Sequence, residues 1–216
     1  MILHLIINAI ALTLILNPLE AAIVLLSLKE DYSKFPQTAL KTSIYVFLIS
    51  LCVTYASSFV FFNLRPSFLF DSNTSKEYFG AIKVIGGIIL FFVGWIMVNG
   101  KRASSFVLSK KEHKAAREKE DISFIPLAVP VIIGPGVFTT LIVLGERARS
   151  LNQYIQLFFV ILISVLIIYF SLRYAKVIIE FLGIHGVNIV SRLTGIFIMI
   201  ISVLFFVEGV KELFGG

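Results

Sequence analysis

The stretch "LTLILNPLEAAIVLLSL", residues 12–28, is apolar on both sides of an Asn-Pro-Leu-Glu element at 17–20. Pro18 has no backbone N–H and disfavours helical geometry at the residue before it. Proline is nevertheless well placed at the first position of a new helix. Asn17 then falls at N-cap, Pro18 at N1, Leu19 at N2 and Glu20 at N3, a capping box with Asn in the place of Ser or Thr. The sequence thus predicts a helix that ends and restarts in the middle of a greasy run.

The rest of the chain explains why that matters. Of 216 residues, 58% are hydrophobic and 15% charged, against about 45–50% and about 25% in soluble domains. The mean hydropathy is +0.96, so the composition is that of a membrane protein. Its 21 phenylalanines suit lipid-facing and helix-packing surfaces. Apolar segments at about 2–28, 42–62, 79–99, 122–145, 154–172 and 190–213 each approach the roughly 20 residues a spanning helix needs. The first lacks the basic flank of a cleaved signal peptide and is too long for one, so it is expected to remain as a span. Cys52 is the single cysteine and forms no intrachain disulfide.

Short charged loops separate these segments. The longest, "KRASSFVLSKKEHKAAREKED" at 101–121, divides the chain into units 1–100 and 122–216 of three spans each. The loops after spans 1, 3 and 5, with their helix ends, hold Lys29, Lys34, Lys41, Lys101, Arg102, Lys110, Lys111, Lys114, Arg117, Lys119, Arg173, Lys176 and Arg192. The opposite side holds Arg65, Lys76, Lys83, Arg147, Arg149 and Lys211. Basic residues collect on the cytoplasmic side, which puts both termini outside and the 101–121 loop in the cytoplasm. That loop reads as a solvated topology signal and not as a nucleic-acid surface.

A weak internal echo accompanies this division. "KVIGGIILFFVGWIMVNG" (83–100) aligns with "RLTGIFIMIISVLFFVEG" (192–209), bringing Lys83 to Arg192, Gly86 to Gly195 and Gly100 to Gly209. Copies of three spans must cross the membrane in opposite directions, the inverted repeat common among secondary transporters. Gly80, Gly87 and Gly94, like Gly195, Ser202 and Gly209, recur at sevens on one helical face. Small residues so placed let neighbouring backbones approach, and packing is the reading favoured for them.

The second unit has its own break. In "IPLAVPVIIGPGVFTTLIVLGE" (125–146), three prolines and Gly134-Pro135-Gly136 interrupt the span. Gly134 serves as N-cap and Pro135 as N1 of a half-helix. Corresponding Gly/Pro-interrupted segments in both halves point to a transporter's binding site. Broken backbone is tolerated in a membrane only beside protein or a watery cavity. Two half-helices running in opposite directions would aim their positive dipole ends at the midplane, which suits an anion or a carboxylate. A plain proline kink is the alternative for either span.

Glu20 admits two readings: an intramembrane carboxylate that carries a proton, or a local cap satisfied by backbone N–H groups. Thr139 and Thr140 either contact a solute or bond back to their own helix. Glu208 and Asn99 sit near span ends and read as interfacial.

"NPLEAAIVLLSL" in span 1 and "PLAVPVIIGPGVFTTLIVL" in span 4 resemble the two signatures of the MarC family of prokaryotic inner-membrane proteins, and "IKVIGGIILFFVGWIM" is similar to its third-span pattern. The resemblance covers most of the chain. It implies a prokaryotic plasma-membrane location and, as for some family members, proton-driven transport of small neutral amino acids such as glycine and alanine. Carried over residue by residue, it implicates Asn17, Pro18, Pro130, Gly134, Pro135, Gly136, Thr139 and Thr140. This chain departs from the pattern at Glu20, where the family usually has glycine, and at Ala21-Ala22, where a second proline is usual.

The expectation is therefore an all-α polytopic membrane protein of six transmembrane helices, two inverted three-helix repeats with broken first and fourth helices. Its expected function is a proton-coupled secondary transporter of small amino-acid-like solutes working by alternating access. Asn17, Pro18, Glu20, Gly134, Pro135, Gly136, Thr139 and Thr140 form its substrate site and Glu20 is the proton-coupling candidate. A passive channel or exporter is the alternative. No metalloprotease, nucleophile-elbow or clustered Cys/His motif is present, and His4, His113 and His185 lie at segment ends or in loops. No enzymatic activity, cofactor or metal is expected. The expected partners are the lipid bilayer and a small-molecule substrate, with no nucleic acid. A homo-oligomer stays open.

Overall fold

The computed structural model of the chain describes residues 2–28, 32–59, 75–100, 121–148 and 150–214. All regular elements among them are helical. The basic loop at 101–120 lies outside the described residues, so the boundary drawn there stands as read from sequence.

Helices α1 (Ile2–Leu16) and α2 (Pro18–Leu28) meet at Asn17. A 3-10 turn at Tyr32–Lys34 leads into α3 (Phe35–Phe59), and α4 spans Ser75–Val98. A wide-turned coil, α5 (Ser123–Ile132), precedes α6 (Pro135–Arg147). The chain closes with α7 (Leu151–Arg173) and α8 (Ala175–Phe214), the latter interrupted at Gly183, where φ is +63°.

Among the described residues, five stretches are long and apolar enough to cross a membrane: Leu5–Leu28, Tyr32–Phe59, Phe79–Val98, Leu151–Arg173 and His185–Phe214. The sixth expected span is the pair α5 and α6, bent by 72° at its break, which makes six when the pair is one span. The sequence reading placed a loop between spans 5 and 6, but the chain is helical there from Ala175 onward.

Small residues set the closest packing. α4 and α8 pack antiparallel along a ladder that opposes Gly80 to Gly209, Gly87 to Ser202 and Gly94 to Gly195. A Cβ on Gly94 would lie 2.6 Å from the Gly195 carbonyl oxygen. The sevenfold small-residue spacing is therefore a packing device, as such spacing predicts. α3 turns a buried stripe of Thr42, Ser50, Thr54 and Ser57 inward. Its Thr54 carbonyl lies so near Gly145 of α6 that no side chain fits between them. At its other end Thr42 donates to the Ser123 carbonyl at 3.1 Å.

The helices pair in a matched way. α1 and α2 pack on α7, while α5 and α6 pack on α3. α2 also packs on α8, and α6 on α4. The core between them is built from Leu12, Leu16, Leu25, Leu90, Met97, Leu127, Leu141 and Ile161, all nearly inaccessible. Ile88, Phe92, Trp95, Ile200 and Leu204 point outward, where lipid tails replace water as the surrounding medium.

Candidate functional site

The first break is built by one residue. Pro18 bars the helical region to Asn17, and Asn17 takes φ +51°, the left-handed conformation that Asn tolerates better than most side chains. The hydrogen-bond ladder continues on both sides, with Asn17 N–H donating to Thr13 O at 3.1 Å and Ala21 N–H to Asn17 O at 3.2 Å. Glu20 N–H turns instead to the Asn17 side-chain oxygen at 3.4 Å. The Asn17 side chain thus caps α2 as the spacing predicts, but the reciprocal bond of a capping box is replaced, since Asn17 N–H is taken by Thr13 O. Neighbouring helices hold it: Asn17 Nδ2 donates to Met97 Sδ of α4 at 3.5 Å, and Ser171 of α7 donates to the Pro18 carbonyl at 2.8 Å.

The second break uses a longer device. Ile125 and Val129 are extended, and the peptide bonds into Pro126 and Pro130 are cis. Wide hydrogen-bonded rings close the coil, from Leu127 N–H to Ile122 O at 3.2 Å and from Ile133 N–H to Ala128 O at 2.9 Å. Gly134 is extended (φ −87°, ψ 178°), Pro135 opens α6, and Phe138 N–H returns to Gly134 O at 3.0 Å. Gly134 is therefore the N-cap and Pro135 the N1 residue, as read from sequence.

Both breaks border one cavity of about 60 Å³, lined by Asn17 and Glu20 from the first and by Pro130, Gly134, Pro135 and Gly136 from the second. Ile89, Leu90 and Val93 of α4 and Ile198 of α8 complete it. Residues at the N-termini of α2 and α6 thus border the same space, where the helix dipoles favour negative charge. The cavity has room for a few waters or a very small solute. Glu20 is 3% exposed, a carboxylate buried at the same helix N-terminus. No group of three or more His, Cys, Asp or Glu side chains among the described residues is placed to hold a metal.

Three predicted site residues lie elsewhere. Pro18 is not among the cavity-lining residues, and its carbonyl serves Ser171. Thr139 donates to Pro135 O at 2.9 Å and Thr140 to Gly136 O at 2.8 Å, both bonding back to their own helix. Thr139 instead packs against Gly86 of α4.

The sequence reading missed a charged cluster at the far end of α6. Lys83, one of the basic residues assigned to the side opposite the cytoplasmic loops, is 2% exposed. Its ammonium donates to Glu212 at 2.5 Å and lies 3.4 Å from Glu208. The second Glu208 oxygen accepts from the Arg147 guanidinium. Glu208, read as interfacial, thus bridges a buried lysine on α4 and the last residue of α6. The available signal was Lys83, Glu208 and Glu212 within otherwise apolar spans, since ionisable groups in membrane segments rarely go unpaired. At the opposite end of the bundle, Asp121 pairs with Lys41 at 2.7 Å and accepts Ser123 N–H at 2.9 Å.

Comparison with known proteins agrees with this architecture. The chain is 32% identical to a UPF0056 membrane protein of Aquifex aeolicus over 94% of its length and 91% of the relative's. It is 28% identical to the UPF0056 membrane protein YvbG of Bacillus subtilis, covering 95% and 93%. With the UPF0056 inner membrane protein MarC of Escherichia coli it shares 26% identity over 91% and 89%. No solved structure matches it. The profile described as "MarC family integral membrane protein" matches residues 2–214. Two proline-broken helices folded into one helical membrane bundle, with that match over nearly the whole chain, make this protein a member of the MarC family of integral membrane proteins.

Proposed function

We propose that the protein is a proton-coupled secondary transporter of small, amino-acid-like solutes. The observation that carries this reading is the cavity of about 60 Å³ shared by both breaks. A solute carboxylate would meet the N-termini of α2 and α6, and Glu20 would take a proton or face the solute amine. Carboxylate binding by helix N-termini follows from their dipoles and unpaired N–H groups. An intramembrane carboxylate is a default candidate for proton transfer.

Alternating access would come from one three-helix unit rocking against the other as inverted repeats. The matched packing of α1–α2 on α7 and α5–α6 on α3 supports that symmetry. So does the pairing of α4 with α8 along a ladder that reads alike from either helix. The ladder favours a register bringing Gly80, Gly87 and Gly94 onto Gly195, Ser202 and Gly209, slightly different from the Gly86–Gly195 alignment of the sequences. An excess of basic residues at the other end of the bundle favours an orientation with the Arg147 end, and with it both termini, outside. Nothing in this chemistry requires an enzymatic step.

The test is counterflow in proteoliposomes preloaded with unlabelled glycine, alanine, serine or glutamate, with and without an inward proton gradient. Saturable exchange is expected, and Glu20→Gln should remove its acceleration by the proton gradient. Non-saturable flux without counterflow would assign a passive pore instead.

A further inference from the structure

Arg147 belongs to two environments at once. One is the ion cluster with Glu208, Lys83 and Glu212. The other is a second cavity, of about 350 Å³, between the start of α1, the end of α6 and the first turns of α7. Its volume is several times that of the cavity at the breaks and falls in the range of small-molecule sites, about 300–1,000 Å³. Its lining is mixed: Asn8, Gln153 and Gln156 bring carboxamides and Arg147 a guanidinium, beside apolar residues that include Leu144 and Leu157, and the Gln153 oxygen already accepts Ser150 N–H at 3.1 Å.

The ion cluster lets Arg147 leave cheaply. Lys83 and Arg147 balance Glu208 and Glu212, so the group is electrically neutral. When Arg147 turns toward the cavity, Glu208 still faces Lys83 and Lys83 still holds Glu212. No buried charge is stranded. The bond given up is between side chains 46% and 42% exposed, a class of ion pair that contributes little. A guanidinium also recognises a carboxylate with two parallel hydrogen bonds, which a point charge does not.

We infer that this cavity is a second solute site, specific for a carboxylate-bearing solute, in which Arg147 exchanges Glu208 for the solute carboxylate. The carboxamides of Asn8 and Gln156 face the polar remainder of the solute. α6 then joins two sites, its N-terminus at the cavity of the breaks and its last residue at this one. The solute class rests on the transport reading above, whereas the site itself does not.

The experiment is arginine modification with phenylglyoxal on the full chain in nanodiscs, followed by mass spectrometry at Arg147, with Arg173 and Arg192 as internal references. The probes are alanine, glutamate and alaninamide, the last lacking the carboxylate. Alanine or glutamate is expected to protect Arg147 selectively, and alaninamide to leave it reactive. In Glu208→Gln the half-protecting concentration should fall about fivefold, which corresponds to a competing pair worth about 1 kcal/mol. A gain in affinity cannot arise from misfolding.

Equal protection by alaninamide, protection by none of the probes, or an unchanged half-protecting concentration in Glu208→Gln would each overturn the assignment. Counterflow of the same preparation separates the two readings. Protection without counterflow retains the site and removes the carrier. Counterflow without protection does the reverse.

Discussion

The two helix breaks solve one problem by different means. At the first, a single residue in the left-handed region interrupts a span that otherwise keeps its direction, and its own side chain caps the next helix. At the second, ten residues of wide-turned coil and an extended glycine re-aim the chain by 72°, with no side-chain cap. Yet both deliver a proline-started helix to the same cavity. The first break is limited by backbone conformation, because only a few residue types accept its φ. The second is limited by space, because its glycines have ordinary negative φ but stand against close neighbours.

That contrast is sharpest at Asn17. Asn17→Ala loses both the tolerance of the left-handed region and the cap, and should destabilise the protein by about 2–3 kcal/mol in denaturant titrations in detergent micelles. Asn17→Gly keeps the conformation and should cost only a few tenths of a kcal/mol. Equal losses in the two variants would mean that the cap, and not φ, governs this break.

At the second break the expected effects are smaller and steric. A Cβ on Gly136 would lie 2.7 Å from Leu90 Cδ2, and Leu90 is itself 2% exposed with little room to move. Gly136→Ala should therefore cost about 1–3 kcal/mol, the usual range for overpacking. A matched Leu90→Ala should relieve part of that loss in the double variant. Gly134→Ala meets only the Pro130 carbonyl, at 3.3 Å, and should change stability by less than about 1 kcal/mol. A loss as large as that of Asn17→Ala would erase the distinction between the breaks.

The smallest effect belongs to Asp121, which anchors the start of the second broken span. Hydrogen bonds from Lys41 and Ser123 hold its carboxyl at about 2, below the ordinary carboxylate range. A depressed folded pKa stabilises fully above the unfolded value of about 3.9, and the contribution is lost as pH falls from there through about 2. The pair is half exposed, so Asp121→Asn should cost less than about 1 kcal/mol at neutral pH and progressively less as pH falls through that window. Melts recorded from pH 7 down to pH 2 would show the variant and parent converging.

Much of the helical layout was legible in the sequence because each signal is local. Apolar runs of spanning length mark the membrane helices, and proline after Asn17 or Gly134 marks where a helix restarts, since the rule concerns one residue and its neighbour. The sevenfold small residues announced a packing face for the same reason. The breadth of α8 was not legible, since the polar residues after Arg173 read as loop although they continue a helix to Gly183. Nor was the role of Thr139 and Thr140, because a hydroxyl in a helix can serve a solute or its own backbone and the residue type does not decide which.

By itself, then, the sequence determined that this is a helical membrane protein with two proline-started half-helices, because composition and backbone stereochemistry act over a few residues. Tertiary structure alone decided that Asn17 and Gly134 border one cavity and that Glu20 is buried beside it. It alone joined Lys83, Glu208, Glu212 and Arg147 across three helices. Those are juxtapositions of residues about 60 to 130 positions apart, fixed by which helix faces pack together, and no local pattern in the chain encodes them.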